Sequence, residues 1–387
     1  MSGAQPHLLV IAISGRALAQ SARRGGFQVR VLDAFADSDA QQAGEAQSIA
    51  ADHAIAIDPQ RLFDALGAPQ TRFIVLGAGF ERSPELIDRL AQFGALCGNE
   101  TDVVRALKEP LLCAQLLSAL ELDVPHTQLE PPLDARGWLQ KEIGGAGGVH
   151  VRSAAGAPHS ANRYYQRIVD GQPMSVTFLA DAQRAYILGF NQQTIARVGK
   201  LPYCYVGAAT CSVVPALEGE MQYRLDRLVR VTGLRGLNGI DFMLKGEQVQ
   251  VLEVNPRPTA TFELYEPDFA HGLVHWHVAS FQDSVPQFAS LIRAPHRLAR
   301  AYRIVFAKYQ LRVPLDVQYA AWCRDRPQPG SEIHSGAPVF SVFAEGGSPA
   351  VALEILMQRV SEVDAMLETW SMRAEALSAR EQGVLPS

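Results

Sequence analysis

What the chain lacks narrows its class first. Its five cysteines (Cys97, Cys113, Cys204, Cys211 and Cys323) form no CxxC pair and leave one over, which argues against a disulfide framework or a structural zinc site and fits reduced thiols. No stretch approaches eighteen consecutive apolar residues, so no membrane span is expected. The first apolar run, residues 7–13, has neither a basic leader nor a small-residue cleavage site. It reads as a buried strand, and a cytoplasmic location is the expectation. Basic residues are not in excess: the net charge is -5, which removes the electrostatic reason to expect nucleic acid or an anionic membrane as a partner. No GK[ST] sequence occurs. Ser14-Gly15 stand alone after the first run, and Gly77 and Gly79 lack a third spaced glycine, so neither a P-loop nor a dinucleotide fingerprint is present. Internal repeats and low-complexity tracts are also missing.

What is present is an ordinary globular composition, 48% apolar and 19% charged over 387 residues, enough for two to four packed domains. An apolar run at 8–13, a helix-compatible stretch at 16–24, Gly25-Gly26 and a second run at 27–32 ending at Asp33 follow the grammar of a parallel α/β layer. Further strands are expected at 54–57 and 73–76. Asp33 serves equally as a cap. Residues 101–122 are amphipathic and interrupted by Pro110; 164–179 reads as strand split at Asp170-Gly171; 222–233 reads as helix. Residues 239–244 and 248–254 flank Lys245-Gly246 as a hairpin. Beyond about residue 290 short strands precede a long helix at 350–377.

The hairpin carries the strongest chemical signal. Asp241 leaves one strand, and Glu253 and Asn255 leave its partner on one face, because strand side chains alternate with period two. Two carboxylates and an amide oxygen suit a hard cation such as magnesium, which completes its shell with phosphate oxygens and water. Arg257, just beyond Pro256, brings a guanidinium to the same place, and guanidinium plus metal is what a transferring phosphoryl group needs. Asp241 and Glu253 taken alone fit a solvated hairpin; with Asn255, Arg257 and two prolines the functional reading is favoured. Lys141 precedes a second candidate, Gly144-Gly145-Ala146-Gly147-Gly148, whose backbone N–H groups are free to wrap phosphates. A flexible surface loop is the bland alternative there, and Lys108, taken by itself, fits a solvated lysine.

In order and spacing, Lys108, Lys141 with its glycine loop, Tyr165–Gly171, then Asp241, Glu253, Asn255 and Arg257 resemble the ATP-grasp superfamily across roughly residues 1–290. The resemblance implies a mixed α/β and α+β fold. A small doubly wound parallel domain (1–103) precedes the ATP-grasp fold, with a small subdomain bearing the glycine loop (104–165) and a large one bearing the metal site (166–290). A small C-terminal lobe (291–387) follows. It implies that Lys108, Lys141 and the loop glycines Gly144, Gly145, Gly147 and Gly148 hold ATP phosphates. Gln166, Arg167, Ile168, Val169 and Asp170 become the adenine hinge and its flank. Asp241, Glu253 and Asn255 bind one or two Mg2+ ions, with Mn2+ as a substitute, and Arg257 and Lys141 act on the reacting groups. The implied activity is an ATP-dependent carboxylate–amine ligase working through an acyl phosphate on small-molecule substrates, with a homodimer expected by analogy. Gly79-Phe80-Glu81, residues 189–193 and residues 253–259 further resemble the branch containing tyramine–glutamate ligases of methanofuran and related one-carbon cofactor biosynthesis. Departures occur at Pro173, where an acid often holds ribose, at Glu142 and Arg167, and at Gly239, an arginine in some peptide-bond-forming relatives. Rival readings are a biotin-carboxylase-like enzyme that phosphorylates bicarbonate and a nucleotide sensor without turnover. His271, His275 and His277 lie within HGLVHWH, but the third fits one helix face poorly, so substrate contact or packing is favoured over zinc. Tyr203, Tyr205, Tyr265 and Trp276 read as core or as walls of an acceptor pocket.

Overall fold

The structure, a computed structural model, describes residues 6–51, 56–67, 72–158, 160–282, 288 and 298–381. Its first layer is the expected parallel sheet: β1 (His7–Ile11), β2 (Gln28–Asp33), β3 (Glu45–Ser48), β4 (Phe73–Leu76) and β5 (Ala95–Cys97), in the order β3-β2-β1-β4-β5. Helices α1 (Arg16–Arg24), α2 (Ser38–Ala43), α3 (Pro59–Leu66) and α4 (Glu85–Leu90) connect the strands. The strand expected at 54–57 lies largely outside the described residues; Ile57 bridges Ala50. Asp33 is buried as a loop cap, accepting from the backbone N–H groups of Gly15, Phe35 and Ala36. The order reverses between β1 and β4, so their carboxyl-end loops diverge around a crevice, the usual ligand position in such sheets. Those loops hold Ser14–Arg16 and Gly77–Glu81, tied by Ile13 N–H to Ala78 C=O at 2.8 Å.

The helical stretch after β5 is two helices, α5 (Thr101–Lys108) and α6 (Pro110–Ala119), parted at Glu109. Proline lacks the N–H of a continuing helix and suits the first turn of a new one. A four-stranded antiparallel sheet follows, β6 (Thr127–Gln128), β7 (Trp138–Glu142), β8 (Arg152–Ser153) and β9 (Arg163–Arg167), ordered β6-β9-β7-β8.

The third layer is the large sheet. Strands β10 (Gln172–Asp181), β11 (Ala185–Val198), β12 (Leu201–Cys211), β13 (Arg235–Lys245) and β14 (Gln248–Asn255) form it, with α7 (Pro215–Thr232) behind. The C-terminal segment adds β15 (Ala299–Phe306), β17 (Cys323–Arg324) and β19 (Pro338–Gly346) to the same sheet, giving β14-β13-β10-β11-β12-β15-β19-β17. A small ribbon, β16 (Leu311–Arg312) with β18 (Glu332–Ile333), and the long helix α9 (Pro349–Glu381) complete it. The C-terminal lobe therefore keeps its own core under α9, around Val305, Val342 and Leu356, but is continuous with the central sheet.

Alternation sorts the faces of that sheet. Met174, Val176, Phe178, Ile240, Phe242, Val249, Val251 and Val254 pack against α6 and α7. The opposite face shares a core with the first layer through Leu179, Leu237, Tyr265 and the short helix α8 (Leu273–Ala279). Strands β13 and β14 pair Asp241 with Glu253 but Phe242 with Val251, leaving Leu252 unpaired. This bulge reverses the parity of β14. Val249 and Val251 stay in the core before it and Val254 after it, while Glu253 and Asn255 turn to the opposite face with Asp241.

Arg16, 2% exposed, clamps the first layer to the C-terminal strands: its guanidinium meets Glu263, Asp325 at 2.9 Å and Asp39 at 3.8 Å. Asp39 also accepts the backbone N–H groups of Asp325 and Arg326. Arg16→Met would strand buried carboxylates, so its stability is expected to fall by about 3–5 kcal/mol. The check is the midpoint of denaturant unfolding, with the slope unchanged.

Candidate active site

Six ionisable side chains from four parts of the chain meet beside the hairpin. Lys108, at the end of α5, donates to Glu253 and, at 3.0 Å, to Asn255 Oδ1. Asn255 Nδ2 donates to Asp241 Oδ2 at 3.1 Å, and Gln193 Nε2 donates to Asp241 Oδ1 at 2.8 Å. Arg257 donates through Nη2 to Asn255 Oδ1 at 3.3 Å and through Nε to Glu81, from the loop after β4. Lys141, on β7, donates to Gln166 Oε1 at 2.6 Å. Asn99 steadies the exit of β14, donating to Pro256 C=O at 2.9 Å.

The electrostatics follow from this crowding. Burial pushes the Asp241 carboxyl up, and the facing Glu253 charge adds to it. For Glu253 burial acts upward as well, but the Lys108 ammonium overrides it and the group is lowered. Burial pulls Lys141 down, against the pull of Glu253 and Asp241. Glu81, 5% exposed, is held at about 2 because Arg257 and then Lys108 outweigh its desolvation.

The glycine loop sits on both neighbouring layers. Gly147 C=O accepts from Tyr205 N–H at 3.0 Å. A Cβ on Gly148 (φ +72) would stand 1.9 Å from Tyr203 O, and one on Gly144 (φ +68) 2.3 Å from Glu81 O. Only glycine combines these left-handed angles with such close approach. Gly145 lies against the His150 ring, whose Nδ1 accepts from Glu142 N–H.

Sequence candidates thus converge here, apart from Arg167 and Ile168. Lys108, Lys141, Gly144, Gly145, Gly147, Gly148, Gln166, Asp241, Glu253, Asn255 and Arg257 form one connected neighbourhood. Val169 and Asp170 line a cavity of about 290 Å³ with Asp123, Met243, Lys245, Gln248 and Gln250. Met243 and Lys245 continue the Asp241 face of β13, so this cavity lies on the same side of the sheet. Ile168 is 48% exposed. The Arg167 side chain leaves the cleft, donating to Arg136 C=O at 2.9 Å and lying over Trp138. Sequence reasoning gave no site role to Glu81, Gln193 or Asn99. Glu81 and Gln193 lie in the quoted stretches 79–81 and 189–193, and that context was their only signal.

The aromatic and histidine candidates divide. Tyr265 is core, donating to Asn191 Oδ1 and Phe190 C=O. Trp276 packs on Phe288, and Tyr205 bonds Tyr302 hydroxyl to hydroxyl. His271 and His275 face each other at 5.8 Å, whereas His277 turns inward: its Nδ1 accepts from Leu237 N–H and its Nε2 meets Cys97 C=O, each at 2.8 Å. Among the described residues no group of three or more His, Cys, Asp or Glu is placed to hold a metal ion. Burial lowers His277 from 6.5 to about 4. A base with a depressed folded pKa gives its full stability above 6.5 and loses it as pH falls toward 4. That loss is about 3 kcal/mol. The stability difference between pH 7 and 4.5 is expected to shrink in His277→Asn, read from unfolding curves at each pH.

Residues 108–261 match the ATP-grasp domain family. A search of curated proteins finds no match. Among solved structures, the chain is similar to a biotin carboxylase–β-γ-ATP complex from Campylobacter jejuni, with a TM-score of 0.71 and 11% identity over 89% of each chain. It is also similar to the biotin carboxylase domain of 2-oxoglutarate carboxylase from Hydrogenobacter thermophilus, described with MgADP and bicarbonate: TM-score 0.69, 11% identity, 89% of this chain and 88% of that one. A Rhizobium etli pyruvate carboxylase gives a TM-score of 0.71 at 14% identity, over 92% of this chain but 37% of that one. Sequence match and architecture agree: residues 108–261 are an ATP-grasp domain, and the chain around it has a fold similar to that of these biotin carboxylases.

Proposed function

We propose that this chain is an ATP-dependent ligase that activates a carboxylate as its acyl phosphate and joins it to an amine. The observation that carries the reading is the convergence of Asp241, Glu253 and Asn255 with Lys108, Lys141 and Arg257 beside a glycine loop. Two carboxylates and an amide oxygen are hard donors that fit Mg2+. The raised Asp241, facing Glu253, is the group a divalent cation would relieve. One or two Mg2+ ions, or Mn2+ in their place, would be held by Asp241, Glu253 and Asn255 and would neutralise phosphate charge when bound. Lys108 and Lys141 are assigned to the ATP phosphates, and the cleft between Val169-Asp170 and Met243 to the base.

The chain's own groups then divide the work. Arg257, its guanidinium fixed by Glu81, stabilises charge on the transferring phosphoryl group and on the tetrahedral intermediate formed by amine attack. The docked glycine loop excludes water from the acyl phosphate, whose hydrolysis would consume ATP without product. No protein nucleophile is required. A finer reading makes glutamate or another amino acid one partner, in one-carbon cofactor biosynthesis; it rests on the branch-like stretches at 79–81, 189–193 and 253–259.

The decisive experiment measures ADP release and amide product with MgATP, glutamate and a panel of aromatic and heterocyclic amines. Amine-dependent ADP release is expected, and Glu253→Gln should lower it by a factor on the order of 10²–10³. ADP formed with bicarbonate alone would favour the carboxylating rival. Tight ATP binding with no ADP from any pair would favour a sensor and end the ligase reading. A second variant tests the lid. Gly148→Ala cannot keep its docked position, so product per ATP should fall; unchanged coupling would refute a water-excluding role.

A further inference from the structure

One dipeptide outside the ATP-grasp domain touches both the guanidinium and the loop. Glu81 follows β4 of the first layer, and its carboxylate is fully engaged: Arg257 Nε donates to one oxygen, and Gly79 N–H donates to the other at 2.8 Å. Its backbone carbonyl is the surface against which Gly144 packs, and the Arg82 backbone N–H lies on the same side. The Arg82 side chain pairs with Glu142, two residues before Gly144. Glu142 is anchored in turn by Arg163 at 3.3 Å. Arg257 has one other side-chain partner, Asn255, so deleting the Glu81 charge would leave the guanidinium to swing toward Asn255 and Glu253.

Resting on the ligase reading above, we propose that Glu81 is the positioning residue for Arg257, and that the Glu81-Arg82 dipeptide couples this alignment to docking of the glycine loop. Glu81 acts through Arg257 and touches no substrate. The same short segment seats Gly144 and orients the guanidinium, so an undocked loop loosens the arginine and the first layer joins the chemistry. Such coupling holds back phosphoryl transfer until the cleft is closed.

The test uses the full chain with MgATP and whichever acid–amine pair gives the most ADP. Glu81→Gln should lower kcat about a hundredfold, the scale of a 1 Å misplacement, with KM for ATP within about twofold. Product per ATP should fall as well. Glu81→Asp, which keeps the charge, should recover at least a tenth of the wild-type kcat. Arg82→Gln, at a half-exposed side chain, should fold normally and lower product per ATP with a smaller drop in kcat. Wild-type kcat and coupling in Glu81→Gln would overturn the proposal. So would a loss that follows thermal stability, is not recovered by Glu81→Asp and leaves product per ATP unchanged. If no pair gives ADP, the ligase reading fails separately. Coupling is then read by subtilisin cleavage within residues 143–149 of the MgATP-bound protein. Faster cleavage in both Glu81→Gln and Arg82→Gln supports it, and cleavage at the wild-type rate refutes it.

Discussion

A single unpaired residue, Leu252, decides which way the acidic end of the hairpin faces. With strict alternation, Val249 and Val251 in the core would put Glu253 there too, and Asn255 after it. Two polar groups would then lie beneath α6 and α7, and Asp241 would face an empty partner strand. The bulge lets valines fill the core up to Val251 and resume at Val254, while Glu253 and Asn255 join Asp241. Every other part of the site is arranged around that face. Lys108 reaches it from α5 and Lys141 from the small sheet, while Arg257 follows from the same strand two residues on.

The second constraint is charge. Asp241, Glu253 and Glu81 stand against Lys108, Lys141 and Arg257, so the cluster is balanced as it stands. Removing charges from water is costly unless each is paired; here two ion pairs form, Lys108 with Glu253 and Arg257 with Glu81, while Lys141 and Asp241 are met by the amides of Gln166 and of Gln193 and Asn255. A nucleotide with its cation would therefore exchange partners within a set already built, rather than order loose side chains. Under the proposed reading that is preorganisation, with the donors in place before charge develops.

Much of this was legible in the sequence because it is local. Apolar runs closed by Ser-Gly or Gly-Ala-Gly marked β1 and β4, Pro110 marked the break between α5 and α6, and period two put Glu253 beside Asn255. Glycines after Lys141 marked the loop, though not its close approach to the Glu81 and Tyr203 backbones. What was not legible is long-range. Strand β3, Glu45–Ser48, has a single buried residue and no apolar run to announce it. Arg167 looked like part of the hinge, yet its guanidinium finds Trp138 and a carbonyl on the outer side of the small sheet. The bulge depends on which valines the helices cover, and Glu81 on a contact spanning 176 residues. Nothing in the neighbourhood of either residue encodes such information.

The C-terminal segment shows why a lobe beyond the ATP-grasp domain belongs to the site's architecture. Its strands β15, β19 and β17 extend the sheet whose far edge is the hairpin, and Arg324 on β17 joins Arg16 in pairing with Glu263. Glu263 lies six residues beyond Arg257, in a segment pinned by Thr259, Thr261 and Thr177 hydroxyls. Arg16 opens α1, in the loop after β1, and that loop is tied by Ile13 to the loop carrying Glu81. A closed circuit results: hairpin to Arg257, Arg257 to Glu81, Glu81 through the β4 and β1 loops to Arg16, and Arg16 through Glu263 back to the hairpin's own continuation. A guanidinium inside such a circuit is located by both ends of the chain, and shifts in the first layer reach it through the buried Glu81 and Arg16 ion pairs and the backbone that joins them.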